Sequence, residues 1–194
     1  CPKNEEVCDN IAFAGKLEIL KWLKIHNFPW SDHILMMAVH SGKIEVLDWL
    51  KDNGCVINDS PSEKAIEMEN ISILKWLKQN NLPFSNHVVY LAIKENKLVS
   101  LKWLKANNFN FTEDMYHYAF ENNTEPEILQ WLKDNGCPWN RHLYISAIIE
   151  GNLSSIKWLK ENDCPIPRIA FYTAVDNDKL EIALWLKDNG FPVQ

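Results

Sequence analysis

Apolar residues recur along this chain as two helical stripes in fixed alternation. In residues 28–54, Ile34, Leu35, Ala38 and Val39 line one helix face, and Ile44, Val46, Leu47, Trp49 and Leu50 form a second stripe shortly after. Both stripes return about every 27 residues. Their marker is the tripeptide Trp-Leu-Lys at Trp22, Trp49, Trp76, Trp103, Trp131, Trp158 and Trp185, spaced 27, 27, 27, 28, 27 and 27 residues apart. A constant period of this length signals a stacked repeat array rather than one or two conventional domains. Counted from Cys1, the periods are 1–27, 28–54, 55–81, 82–108, 109–136, 137–163 and 164–190, and 191–194 begins an eighth. The expectation is a single all-α solenoid domain over 1–194 with seven helix–turn–helix units.

Within a period, position 4 holds Asn4, Ser31, Asn58, Ser85, Thr112 and Asn140, whose side-chain oxygens suit the first turn of a helix; Pro167 breaks the row. Positions 7, 8, 11 and 12 are mostly apolar, and position 11 is Ala in six periods, which fits a close helix–helix contact. The second stripe ends at Asn-Gly (53–54, 135–136, 189–190), Asn-Asn (80–81, 107–108) or Asn-Asp (162–163), residues that tolerate the left-handed conformation closing a helix. Two irregular periods keep the pattern. Ser60-Pro61-Ser62-Glu63 reads as a late-starting capping box, and Thr124-Glu125-Pro126-Glu127 as a cap after a one-residue insertion.

These residues resemble a known family. Gly15-Lys16-Leu17-Glu18-Ile19-Leu20-Lys21-Trp22-Leu23 is similar to the second helix of ankyrin repeats, Ala38-Val39 and Ala174-Val175 to the alanine pair of the first, and Asn-Gly-Cys-Pro-Trp-Asn at 135–140 to the stretch after the second helix. An ankyrin unit has about 33 residues. The six missing here fall where the β-hairpin finger would be, so the hairpins are expected to be absent or vestigial. The variant resembles the ankyrin-type repeats of giant DNA viruses of amoebae, and the excess of Lys over Arg (18 against 2) suits such an AT-rich source. The resemblance implies a non-catalytic protein–protein interaction scaffold whose first helices line a concave binding face. The alternatives it leaves open are the substrate-recognition array of a ubiquitin-ligase adaptor, with its recruiting segment outside this chain, and a structural virion component. The chain opens without Met and stops early in a period, so it is read as a fragment of a longer array.

Composition narrows the partners. A net charge of −6 argues against a dedicated nucleic-acid binder, and no apolar run or signal-peptide pattern suggests a membrane. Cys1, Cys55, Cys137 and Cys164 share position 1 with Phe28, Leu82 and Phe109, the pattern of an apolar slot. No disulfide partner and no metal are expected, and the setting is intracellular and reducing, host cytoplasm if the source is viral. No phosphate loop, nucleophile elbow or histidine–glutamate metal motif appears, so no cofactor and no catalytic residue is expected.

The constant residues are read as scaffold. The seven Trp at position 22 are expected in the core, where an indole stabilises by up to about 4–6 kcal/mol. Trp30, Trp139, Phe84 and Phe111 at position 3, with Ile57 and Ile166, are also expected to pack. The Lys two residues after each of those Trp is read as a solvated edge at the negative end of a helix dipole. His33, His87 and His142 at position 6 read as first-turn polar residues. Function would lie on the varying first-helix positions 6, 9 and 13, which face away from the core. Candidate partner-binding residues there are His33, Met36, His40, Tyr90, Lys94, His117, Ile145, Ile149 and Tyr172.

Overall fold

A computed structural model describes residues 5–55, 60–112 and 114–192. Among them the regular structure is fourteen α-helices and no strand. By contacts the chain divides into two units, Cys1–Ala92 with Val99–Leu104, and Ile93–Leu98 with Lys105–Gln194. The first holds α1 (Glu5–Phe13), α2 (Leu17–Ile25), α3 (Ile34–Ser41), α4 (Ile44–Asp52), α5 (Ser60–Glu67) and α6 (Ile71–Gln79), with most of α7 (Val88–Lys94) and α8 (Leu98–Ala106). The second holds α9 (Asp114–Glu121), α10 (Pro126–Asp134), α11 (His142–Glu150), α12 (Leu153–Glu161), α13 (Ala170–Asp176) and α14 (Leu180–Asp188).

Both units use the same packing. Odd-numbered helices lie on one another, α1 on α3 on α5 in the first unit and α9 on α11 on α13 in the second, and α1, α3, α5, α11 and α13 each carry their even-numbered successor alongside. Alanine makes this approach possible. Ala38, Ala65, Ala92, Ala119, Ala147 and Ala174 at position 11 are fully buried. Leu23, Leu50, Leu77, Leu104, Leu132, Leu159 and Leu186 at position 23 fill the even-helix side of the core, each worth about 1.5–3 kcal/mol in transfer terms. The expected inner positions 7, 8, 11 and 12 are buried in every described period between the first and the last.

Reversals between helices are left-handed throughout the described residues. The positive-φ residues sit at 15, 27, 42, 54, 69, 81, 96, 108, 123, 136, 151, 163, 178 and 190, alternating at intervals of 12 and 15 residues except for 13 between Asn123 and Gly136. The inserted residue of the fifth period thus falls in a turn, outside the helices. Bonds such as Cys55 N–H to the Leu50 carbonyl, Cys137 N–H to Leu132 and Phe191 N–H to Leu186 close Schellman motifs. Such a motif favours an apolar residue two past the cap, and that residue is position 1. This explains why Cys and Phe exchange there and why Cys55, Cys137 and Cys164 are buried. Burial pushes all three thiols up to about 11. Gly15 is further constrained, since a β-carbon there would lie 2.8 Å from Lys43 Cδ. Glu69, with φ 52°, is neither Gly, Asn nor Asp. Its Oε1 accepts from the Val99 and Ser100 amides at 2.9 and 3.3 Å, capping α8 from the preceding period.

Several expectations are corrected. First helices start near position 7, and the position-4 side chains of Ser31, Ser85 and Asn140 instead accept the N–H two residues on, in the preceding turn. Thr112 makes no such bond among the described residues. Asn4, Asn58, Ile57, Cys1 and the Ser60 side chain lie outside the described residues. Thr124 is buried and is no cap; Glu125 holds the N-cap position of α10, with Pro126 first in the helix.

The tryptophans also differ from one another. Trp76 and Trp158 are buried, Trp49, Trp103, Trp131 and Trp185 half-buried, and Trp22 is 53% exposed against 4% for Trp76. Most are covered by the aromatic at position 3 of the same period: Trp30 on Trp49, Phe84 on Trp103, Phe111 on Trp131 and Trp139 on Trp158, with ring centroids 5.6–6.1 Å apart. The first period has Lys3 at that position, and Trp22 stacks on His26 instead, at 3.9 Å. Ile166, the last of the row, is exposed rather than packed.

At Lys51, Lys133 and Lys160 the lysine row is a clamp rather than a solvated edge, while Lys24, Lys78 and Lys187 are exposed. The cap residues Asn53, Asn80, Asn135, Asn162 and Asn189 donate Nδ2–H to the Trp carbonyl four residues back, each at 2.9 Å. That orientation turns Oδ1 toward the preceding period, where Lys51, Lys133 and Lys160 donate to Asn80, Asn162 and Asn189 at 2.7–3.0 Å. Lys24 and Lys133 also lie over the Trp30 and Trp139 rings, at 3.7 and 4.7 Å.

Tyr116 and Tyr144, at position 8 of adjacent periods, are fully buried, and their hydroxyls have no hydrogen-bond partner among the described residues. Burial raises both phenols. A buried unsatisfied hydroxyl costs about 1–3 kcal/mol. Tyr116→Phe and Tyr144→Phe are therefore each expected to stabilise the protein by about 1 kcal/mol, read as a higher urea midpoint with unchanged slope.

Candidate interaction surface on the first helices

Positions 6, 9 and 13 of the odd helices lie outside the core because the inward stripe occupies positions 7, 8, 11 and 12. In the first unit this face carries Met36 and His40 on α3 and Tyr90 on α7, all half-buried, with His33 exposed at the start of α3. His40 packs against the Phe13 ring, with centroids 5.0 Å apart. Its pKa is lowered, first by burial and then by Lys64, while Glu67 opposes the shift. Lys64 and Glu67 pair at 2.7 Å on α5. Exposed pairs of this kind contribute little to stability. Tyr90 lies beside His87, with ring centroids 6.4 Å apart.

The face of the second unit is more apolar. Ile149, Tyr172 and Ile169 are exposed and Ile145 is half-buried, spread over α11, α13 and the turn before α13. Lys94 and His117 are exposed. His117 and Ser146 share a hydrogen bond between Nδ1 and Oγ across the α9–α11 contact. Ser146 was missed by the sequence reading, yet position 10 lies four residues after position 6 and three before position 13, and so shares their face. Ile169 was missed because position 6 is His in three periods and was read as polar. Phe13 stands at position 13, but its contact with His40 needs the spacing between periods.

His117–Ser146 is exposed, and no carboxylate is hydrogen-bonded to it among the described residues. No three His, Cys, Asp or Glu side chains among them converge as metal ligands do. Open grooves follow the turn at Gly15 and Lys43 in one unit and at Gly151 and Lys179 in the other, lined chiefly by lysine, glutamate and aliphatic side chains. Among the described residues no helix is long and apolar enough to cross a membrane.

Fold and surface together define an all-helical, repeat-like protein whose helices pack on their neighbours in sequence order. No protein-family model and no curated protein matches the chain.

Proposed function

We propose that the chain is a non-catalytic interaction scaffold, a seven-unit, hairpin-less relative of ankyrin arrays, that binds a protein partner on its first-helix face. One observation carries this reading. Ile149, Ile169 and Tyr172 are exposed at positions that vary between periods, while the residues beneath them keep one pattern. Exposed aliphatic and aromatic groups on a rigid support are the anchors that supply most interface energy. The four described cysteines are free and buried, which suits a reducing interior.

Ile149→Glu combined with Tyr172→Ala is expected to weaken binding of a captured protein partner at least tenfold, or about 1.4 kcal/mol, with an unchanged melting temperature. Lys157→Glu, exposed on α12, should leave binding intact. Equal binding by both variants would refute this face as the site.

A further inference from the structure

One edge of the first-helix face departs from the pattern of the chain. Position 5 lies at or just before the start of each described first helix, and it is exposed in every period where it is described. In the first five periods it is Glu5, Asp32, Asp59, Asn86 and Glu113, acidic or amide throughout. In the next two it is Arg141 and Arg168. The chain has 18 Lys and only these two Arg, so both of its arginines stand at one position of adjacent periods.

Helix stability does not account for them. Arg141 is the N-cap residue of α11 and makes no capping bond. It sets a cation at the positive end of the helix dipole, where the acidic residues of the earlier periods are favoured. Among the described residues neither guanidinium has an ion pair. The apolar character of the face changes at the same place. Position 6 is polar in the first six periods, yet Ile169 follows Arg168 there and is 59% exposed. His33, His87, Asp114 and His142 are exposed at position 6 too, so this exposure belongs to the position and not to the last period. Ile145 and Ile149 continue the aliphatic patch along α11. The basic edge is bounded. Asp114 stands one period earlier, and Glu121, Glu150 and Asp176 lie at the far ends of the same helices, about 12 Å along at the helical rise.

We propose that this edge receives an acidic segment of a partner protein, an extended stretch whose two carboxylates pair with Arg141 and Arg168 while neighbouring aliphatic side chains cover Ile169, Ile145 and Ile149. The proposal rests on the first-helix face being the partner site, and it names what binds there. A guanidinium donates two parallel N–H bonds to one carboxylate, a geometry lysine lacks, which gives a reason for arginine in a chain that otherwise uses lysine. The helices α11 and α13 pack on one another, and packed helices lie about 8–10 Å apart. Three residues of extended chain span that distance at about 3.1–3.4 Å each, so the two carboxylates are placed three residues apart. The acidic far ends of the helices fix the orientation, because they repel the same segment when it is reversed across the face.

Selection from a random-sequence peptide library displayed on phage, with the 194-residue chain as bait, tests this. The enriched peptides are expected to carry paired acidic residues beside aliphatic ones. Measured as labelled synthetic peptides by fluorescence anisotropy, their affinity should fall about tenfold or more with Arg141→Asp and with Arg168→Asp, and should weaken as salt is raised. Both substitutions restore the residue type of the earlier periods, so the urea midpoint should not fall, and with Arg141→Asp it should rise. Binding lost together with a lowered midpoint would make the arginines structural and overturn the proposal. So would a library that enriches no peptide, peptides without paired acidic residues, or an oligonucleotide bound as tightly through the same arginines. Peptides that ignore both arginine variants but are lost on Ile149→Glu combined with Tyr172→Ala would overturn the arginine edge and keep the first-helix face. Peptides indifferent to all four substitutions would overturn both.

Discussion

Trp76→Ala is expected to destabilise the protein by about 3–5 kcal/mol, the range for emptying a buried aromatic site, whereas Trp22→Ala should cost about 1 kcal/mol or less, as exposed substitutions do. Both residues open the same Trp-Leu-Lys tripeptide. Trp76 is buried and donates Nε1–H to Asp48, while Trp22 lies outside, stacked on His26. Trp76→Phe should recover most of the loss, because Asp48 is exposed and water can take the place of the indole donor. Chemical unfolding followed by circular dichroism measures all three. Equal losses at Trp76 and Trp22 would mean that both rings are buried to the same degree, contrary to this structure.

The second large effect is at the alanine row. Ala147 is fully buried on α11, between α9 and α13. Ala147→Leu forces three methylene-sized groups into the closest helix approach and is expected to cost about 3 kcal/mol, the upper part of the usual overpacking range. Ala106→Leu, at the exposed end of α8, should be nearly neutral. A comparison of urea midpoints for the two variants checks this. A tolerated Ala147→Leu would show that the odd helices are not held at alanine-limited separation.

How far the sequence could be read depends on whether a feature lives within one period or between two. The buried leucines at position 23 and the alanines at position 11 repeat a one-dimensional pattern, so their place in the core was legible. The Asn-Gly and Asn-Asn ends were legible for the same reason, since a left-handed cap is a local conformation. The Lys51–Asn80 clamp was not, because it joins residues 29 apart and Lys near a helix end already has a sufficient local explanation in the dipole. The exposure of Trp22 was hidden because its cover is a position-3 aromatic, and the first period has Lys3 there. First-helix starts were misplaced by one or two residues because Ser31 and Asn140 have the chemistry of caps but serve a turn.

The candidate surface was legible as a face and not as a set of contacts. Helical geometry placed His40, Tyr90, Ile149 and Tyr172 on one side of their helices. It could not show that Phe13 meets His40 or that Ser146 meets His117, because both pairs depend on the offset between neighbouring helices. The partner itself is the least legible part, since residues chosen to fit another molecule obey no period of this chain.

The hydrogen bonds that tie one period to the next join residues only 22 to 32 apart, from Ser31 on Asp9 to Asn152 on the Phe120 carbonyl. Each such link closes a short loop, and closure entropy grows slowly with length. Few contacts need distant parts of the chain, which favours rapid folding. The consequence is directional during synthesis. Once a period and its successor have left the ribosome, they already hold most of their mutual contacts, so assembly can advance at the pace of translation from the N-terminal end onward.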